Sequence, residues 1–326
     1  MSLKNKSVLV TGGAGFIGSH LVDRLIKEEP ANLVIVDNFF LGKESNLQEA
    51  KRNFPTLKIF NIDASNEEKM SLLVKKENIE VLFNLAIIPL PVSLINPGWV
   101  YERNVGITLC LCELARKGYY RTLIHFSSSE AYGSCQYTPM DERHPLNPTT
   151  SYGASKAATD HLVLSYYKSF GIDAAIIRPF NNYGPRQNDG NYAGVIPLTI
   201  RRISSGEAPV IYGDGGQTRD YLHVSETATA ALMIYDCLDT RGQVLNIASG
   251  MEISIKNLVS LIAKYLSCDK PITYEKERLA DVRRLVGDIS LAKRLVGFKP
   301  VTKFNEGLRS TVEWFQKEAH NVAGSS

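Results

Sequence analysis

A doubly wound α/β fold built on a parallel sheet is what this sequence predicts, and three observations predict it. Short apolar runs of strand length recur along the first half of the chain with helical stretches between them. A glycine-rich turn, Thr11-Gly12-Gly13-Ala14-Gly15-Phe16-Ile17-Gly18, joins the first run to a helix. The second run, Leu33-Val34-Ile35-Val36, ends in the acid Asp37.

Taken in order, residues 7–10 read as a buried strand, the turn leads into a helix over about 19–28, and residues 33–36 form the next strand. The glycines have separate tasks: a tight turn, close approach of backbone to a pyrophosphate, and close packing of helix on sheet. The amino end of the helix offers free N–H groups and a positive dipole end to phosphates. The spacing is Gly-x-x-Gly-x-x-Gly, one residue longer than the usual dinucleotide fingerprint. Asp37 lies nineteen residues past Gly18, where an acid bonds ribose hydroxyls and repels a 2′-phosphate, which favours NAD over NADP.

A third strand over 58–63 ends in Asp63, which either bonds an adenine amino group or caps a helix over 65–76. A fourth strand covers 81–86, and a helix over about 99–117 carries Asn104. The strand over 122–126 delivers Ser127, Ser128, Ser129 and Glu130 at its carboxyl end, where ligands bind in such sheets. The helix over 151–170 opens with Tyr152 and Lys156, four apart and on one face, so that an ammonium beside the phenol favours its ionised form. A strand follows over 174–177. Beyond it the alternation breaks, and the glycine- and proline-rich residues 182–220 read as loops shaped for a ligand. A late strand over 244–248, helices over 255–266 and 305–317, and a frayed tail over 321–326 complete the reading.

Composition narrows the class. With 44% hydrophobic and 22% charged residues the 326-residue chain is an ordinary soluble globular protein, one large α/β unit with an elaborated end. A formal charge of +3, with no basic run, argues against nucleic acid as partner. The five cysteines are odd in number and lack metal-ligand spacing, which predicts reduced thiols, no metal, and a packed helix face for Cys110 and Cys112. No apolar run reaches signal-peptide or membrane-span length, so the expectation is a cytoplasmic protein with no membrane partner.

Together the glycine turn, Asp37, Asp63, the Ser128 region, Tyr152 with Lys156, and the run Arg178-Pro179-Phe180-Asn181-Asn182-Tyr183-Gly184-Pro185-Arg186 resemble the extended short-chain dehydrogenases, the nucleotide-sugar epimerase and dehydratase family. The resemblance extends from residue 8 to about 315. It implies a Rossmann domain over 1–180, with about 220–250 added, that holds NAD, and a smaller α/β domain over 181–219 and 251–320 that holds the nucleotide sugar. On the cofactor side it implies Gly12, Gly15, Phe16, Ile17 and Gly18 at the turn, and Asp37, Asn38, Asp63 and Ala64 at the adenosine half. Leu85, Ala86, Asn104 and Lys156 are implied at the nicotinamide half. Tyr152 is implied as the base that takes a sugar hydroxyl proton, usually at C4. Lys156 is implied to lower its pKa, and Ser128, four residues before Tyr132, to bond the same sugar oxygen in preference to Ser127 or Ser129. Ser129, Asn181, Val195, Tyr212, Arg219 and Arg278 are implied on the substrate, with Arg219 at the diphosphate and Arg278 paired with Asp281. Arg283 and Arg284 rival Arg278. A homodimer through the helices over 99–117 and 151–170 is implied as well.

On the reaction two signals diverge. The run 182–187, with 192–197 and 212–219, looks most like UDP-hexose 4-epimerases, whereas Ser128-Ser129-Glu130 resembles the triplet of 4,6-dehydratases and UDP-glucuronate decarboxylases. C4 epimerisation is the main expectation, with Glu130-assisted dehydration or decarboxylation second and an NAD-binding sensor or scaffold as the non-enzymatic alternative. Ile87 and Ala280 depart from the family pattern, and pocket size is expected to depend on residues 87–94 and on Leu285.

Overall fold

The computed structural model describes residues 2–190, 192–277 and 282–323. From the amino end run β1 (Ser7–Thr11), α1 (Phe16–Ile26), β2 (Asn32–Asp37), α2 (Gln48–Asn53), β3 (Lys58–Asn61), α3 (Glu67–Lys76) and β4 (Val81–Asn84). Then come α4 (Leu90–Ser93), α5 (Pro97–Arg116), β5 (Thr122–Phe126), α6 (Ser151–Phe170) and β6 (Asp173–Pro179). The remainder holds β7 (Asn181–Tyr183), α7 (Val195–Ser204), β8 (Val210–Tyr212), β9 (Thr218–His223), α8 (Val224–Asp236) and β10 (Val244–Ile247). It closes with β11 (Glu252–Ser254), α9 (Ile255–Tyr265), β12 (Thr273–Glu275), β13 (Arg284–Leu285), α10 (Ser290–Val296) and α11 (Phe304–Ala323).

Seven strands form the main sheet in the order β10-β6-β5-β4-β1-β2-β3, parallel at every pairing. The winding reverses between β1 and β4, which opens a crevice at their carboxyl ends. Side chains alternate between two apolar layers: Val8, Val10, Leu33, Ile35 and Phe83 face one, and Leu9, Val34, Val36 and Leu82 face the other. Both faces are covered, so the strands read as unbroken apolar runs. Each fully buried aliphatic side chain contributes about 1.5–3 kcal/mol. Cys110 and Cys112 lie buried on α5, their thiols pushed up to about 12 chiefly by burial.

A second sheet joins β11, β9, β13 and β7, and β8 pairs with β12. Against them α7, α9 and α11 bury Ile196, Ile200, Leu258, Ile262, Leu308 and Val312. Here the sequence reading needs correction, because residues 182–220 are loops only in part: the end of β7, all of α7 and β8 and the start of β9 lie among them, with irregular chain at 184–190, 192–194 and 213–217. The glycines and prolines mark the joints. Gly194 precedes α7, Pro197 sits in its first turn where no N–H is required, Gly206 follows its end, and Gly213 and Gly215 turn between β8 and β9. The helix α8 also lies outside the elements that the sequence predicts. In the first unit, α1 starts at Phe16 rather than Ser19, and β3 and β4 stop at Asn61 and Asn84. Among the described residues no helix is long and apolar enough to cross a membrane.

Candidate active site

The glycine turn is closed by the Gly15 N–H donating to the Gly12 carbonyl at 3.1 Å, and the Gly12 N–H donates to Val36 O at 2.8 Å. Gly12 has φ +69°, and a Cβ on it would stand 2.7 Å from the Leu85 carbonyl carbon. A Cβ on Gly18 would stand 2.1 Å from the Gly12 oxygen, so that position admits no side chain. Gly15 caps α1 in an extended conformation with no side-chain cap, which leaves the first-turn N–H groups to the crevice. Asp37 accepts from the Ala14 N–H at 3.0 Å and the Phe39 N–H at 2.8 Å, and burial pushes its carboxyl above the ordinary range.

A continuous cavity of ≈ 610 Å³ starts at this turn. Its wall includes Gly12, Gly15, Phe16, Ile17 and Gly18, then Asp37, Asn38, Asp63, Ala64, Leu85 and Ala86. It continues past Ser128, Ser129, Glu130, Tyr152 and Lys156 to Asn181, Val195, Tyr212 and Arg219. Arg278 and Asp281 lie outside the described residues. Their rivals are held in ion pairs, Arg283 with Asp214 and Arg284 with Glu252, each at 2.8 Å.

Asn104 is the one placed candidate that the cavity wall omits. Its amide accepts from Ile88 N–H at 2.8 Å and donates to Ile88 O at 3.1 Å and Ser155 Oγ at 3.0 Å, so it clamps the chain around Ile88 onto α5 and α6. Asp63 does reach the cavity, but it does not cap the helix. Asn66 does that, accepting from Lys69 N–H, while Asp63 holds Ser65 and pairs with Arg103 at 2.6 Å. Leu285 turns inward to pack with Tyr132, Met140 and Phe180 and is absent from the wall.

Thr150 caps α6 by accepting from the Gly153 N–H at 3.0 Å, which puts Tyr152 in the first helical turn. The Ser128 hydroxyl faces the Tyr152 phenol and favours its ionised form. Ser127 is committed elsewhere, donating to Asp160 Oδ2 at 2.7 Å. Lys156 donates from Nζ to the Phe126 carbonyl at 2.6 Å.

The electrostatics reverse one expectation. Burial pushes the Tyr152 phenol up, the Ser128 hydroxyl opposes this, and the Glu130 and Asp160 carboxylates add to the rise. The Lys156 amine falls from its ordinary 10.5 to about 8, because burial outweighs the attraction of Asp160. The Lys156 spacing therefore does not make a tyrosinate by itself; desolvation of the site acts on both groups toward their neutral forms.

Several residues of the site escaped the sequence reading. Asp160 and Arg178 form an ion pair at 2.6 Å with side chains 1% and 2% exposed, and the Arg178 guanidinium lies 4.4 Å from the Tyr132 ring centre. A signal existed for Asp160, which is one further helical turn past Lys156. Beside Asn181, which the sequence does implicate and whose Nδ2 is buried without a hydrogen-bond partner, Asn182 Oδ1, Gln187 Oε1 and Asn188 Nδ2 are likewise buried without partners on the cavity wall. Arg186, at φ +65°, reaches from that same run to Asp23 on α1 at 2.6 Å. Across the mouth, Phe40 stacks on Tyr192 with ring centres 6.4 Å apart.

The family model described as GDP-mannose 4,6 dehydratase matches residues 9–311. A UDP-N-acetyl-alpha-D-glucosaminuronate decarboxylase of Bacillus cytotoxicus is 33% identical over 324 residues, covering 96% of this chain and 98% of its own. The solved structure of a UDP-N-acetylglucosamine 4-epimerase from Methanobrevibacter ruminantium M1, in complex with UDP-N-acetylmuramic acid, is 36% identical with a TM-score of 0.89, covering 97% and 99% of the two chains. A dTDP-glucose 4,6-dehydratase from Streptomyces venezuelae, solved with NAD bound, is 27% identical with a TM-score of 0.91, covering 96% and 98%.

Proposed function

We infer the chemistry from family membership: this chain belongs to the extended short-chain dehydrogenases, the enzymes that epimerise and dehydrate nucleotide sugars. Within that family we propose an NAD-dependent UDP-sugar 4-epimerase. The observation that carries the proposal is that Ser128, Tyr152 and Lys156 line the same cavity as the glycine turn, with the Ser128 hydroxyl acting on the phenol.

The residues present fit NAD. The side-chain-free turn at Gly12, Gly15 and Gly18 and the uncapped start of α1 suit a pyrophosphate, and the Asp37 carboxylate suits ribose hydroxyls rather than a 2′-phosphate. Phe16, Ile17, Asn38, Asp63, Ala64, Leu85 and Ala86 line the rest of that arm. When bound, NAD supplies the acceptor for a C4 hydride and returns it.

The chain's own side chains handle the proton. Tyr152 takes it from the C4 hydroxyl, and Ser128 bonds the same oxygen. Lys156, at about 8, is mostly protonated near neutral pH and supplies positive charge against the burial that holds the phenol neutral. Asn181, whose buried Nδ2 has no protein partner, is suited to a sugar or phosphate oxygen, as are Ser129 and Tyr212 on the same wall. Arg219 suits the diphosphate through its planar fork, and Val195 the nucleobase. The 4-keto sugar then presents its other face to the same hydride.

One observation favours a second reading. Glu130 lines the cavity and its charge acts on Tyr152, where a carboxylate can take the C5 proton acidified by a C4 ketone and so drive dehydration, or assist decarboxylation of a uronate. Proton NMR in D₂O with UDP-glucose, UDP-N-acetylglucosamine and UDP-glucuronate decides between them. A new anomeric signal with no deuterium at C5 supports epimerisation; deuterium at C5, a 6-deoxy methyl or a pentose signal replaces it with the second reading.

The proposal includes a division of labour, with residues 1–180 and about 220–250 carrying the cofactor and 181–219 with 251–320 the sugar nucleotide. A homodimer through α5 and α6 is also proposed, supported by the exposed Tyr101, Leu109 and Phe170 on those helices. A monomer in sedimentation at micromolar concentration would refute it.

A further inference from the structure

Beneath the proposed active site lies a buried polar chain that the reaction does not use. Thr11, Asn84 and His125 are cross-strand neighbours on β1, β4 and β5, so their side chains share one face of the sheet. Thr11 Oγ1 donates to Asn84 Oδ1 at 2.8 Å, and Asn84 Nδ2 lies 3.1 Å from His125 Nδ1. His125 Nε2 lies 3.3 Å from Thr159 Oγ1, and that hydroxyl donates to the Lys156 carbonyl at 2.9 Å. All four side chains are at most 2% exposed.

The donors and acceptors run in one direction. With its oxygen occupied by Thr11, Asn84 presents its NH₂ to the ring, so Nδ1 must accept and the proton resides on Nε2. That proton is donated to Thr159, whose own proton goes to Lys156 O. An imidazolium would oppose one N–H to another at Asn84. Burial, with the nearby Lys156 charge, pushes the His125 pKa well below its ordinary value.

We propose that His125, as the neutral Nε2–H tautomer, is a positioning residue that ties the glycine turn to residue 156. Lys156 is thereby anchored twice to β5: through Nζ to the Phe126 carbonyl, and through its own carbonyl and Thr159 to His125. At the other end Thr11 immediately precedes Gly12 and sits across from Asn84, two residues before Ala86 on the cavity wall. The spacing between the dinucleotide cradle and the backbone of residue 156 is then spanned by four buried hydrogen bonds that join three strands to α6. This inference rests on the assignment of Lys156 to catalysis.

Two measurements on the full chain test it. Long-range ¹⁵N-correlated NMR, with His125 among the six histidines assigned by comparison with His125→Leu, reads the tautomer directly. A protonated Nε2 and a pyridine-like Nδ1, unchanged from about pH 5.5 to 8.5, are expected because this pKa lies far below the 6.5 of a free histidine; a proton on Nδ1, or titration in that range, overturns the proposal. In kinetics with saturating UDP-sugar, His125→Leu and Thr159→Val should each lower kcat by about 10- to 100-fold, the loss expected for a misplaced reacting group, with KM little changed. His125→Gln, whose amide nitrogen can replace Nε2 as donor, should recover part of the rate. Both variants folded and within twofold of wild-type kcat would also overturn it. Should the wild type turn over no sugar nucleotide, the proposed reaction fails, and the NMR experiment still decides the tautomer.

Discussion

The depressed amine of Lys156 makes a quantitative prediction about stability. Replacing it by methionine keeps the length of the side chain and removes the charge. The fall from 10.5 to about 8 corresponds to about 3 kcal/mol between protonation states. Below pH 8 both folded and unfolded chains carry the protonated amine, and the folded state bears the whole cost of burying it. Between pH 8 and 10.5 the folded protein releases this proton while the unfolded chain keeps it, so stability rises with pH. The carbonyl of Phe126 loses its donor in Lys156→Met, but it does not titrate and contributes only a constant offset. Urea unfolding of both proteins at several values from pH 7 to 10.5 isolates the effect, because groups common to the two cancel in the difference. The wild type should gain about 3 kcal/mol relative to Lys156→Met across that range. A difference constant to within about 0.5 kcal/mol, the usual scatter of such cycles, would show that the amine is not desolvated and would undo the electrostatic account of the site.

Three further outcomes are expected. Tyr152→Phe removes the hydroxyl that faces Ser128 and should lower turnover by about 10²- to 10⁴-fold while NAD stays bound, as read by cofactor absorbance on the purified protein. Asp160→Ala strands the guanidinium of Arg178 in the core and should cost about 3–5 kcal/mol in denaturant unfolding, whereas an exposed pair such as Lys303 with Glu306 should be near neutral. Gly18→Ala places a methyl group 2.1 Å from the Gly12 carbonyl oxygen, which only a shift of the turn can relieve; calorimetric titration should show NAD affinity lost, and wild-type affinity would contradict the cradle as described.

Much of the fold was legible in the residues themselves because its signals are local. The helix over 151–170 and the strand over 122–126 have the predicted bounds, since Thr150 caps one and Gly171, left-handed at φ +67°, ends it, while the other is a bare apolar run. The glycine turn was legible for the same reason: its requirement for residues without side chains is written at fixed spacing. What escaped was structure made by pairing across long separations. The three-residue strand β7 exists because it lies on β9, and β8 because it lies on β12, some sixty residues away. Such strands have too few residues to carry a period.

The site divides along the same line. The sequence by itself determined which chemical groups are present and in what order: the turn, Asp37, the serine cluster, Tyr152 with Lys156, and the asparagine-rich run after Pro179. Only the tertiary structure decided between like residues. It bound Ser127 to Asp160 beside the expected Ser128, placed Asn104 behind the wall instead of on it, and directed Leu285 into the core. It also set the protonation balance, raising the phenol and lowering the amine. A pKa depends on the water excluded and the charges gathered around a group, and those neighbours come from β5, α6 and β6, joined only when the sheet forms.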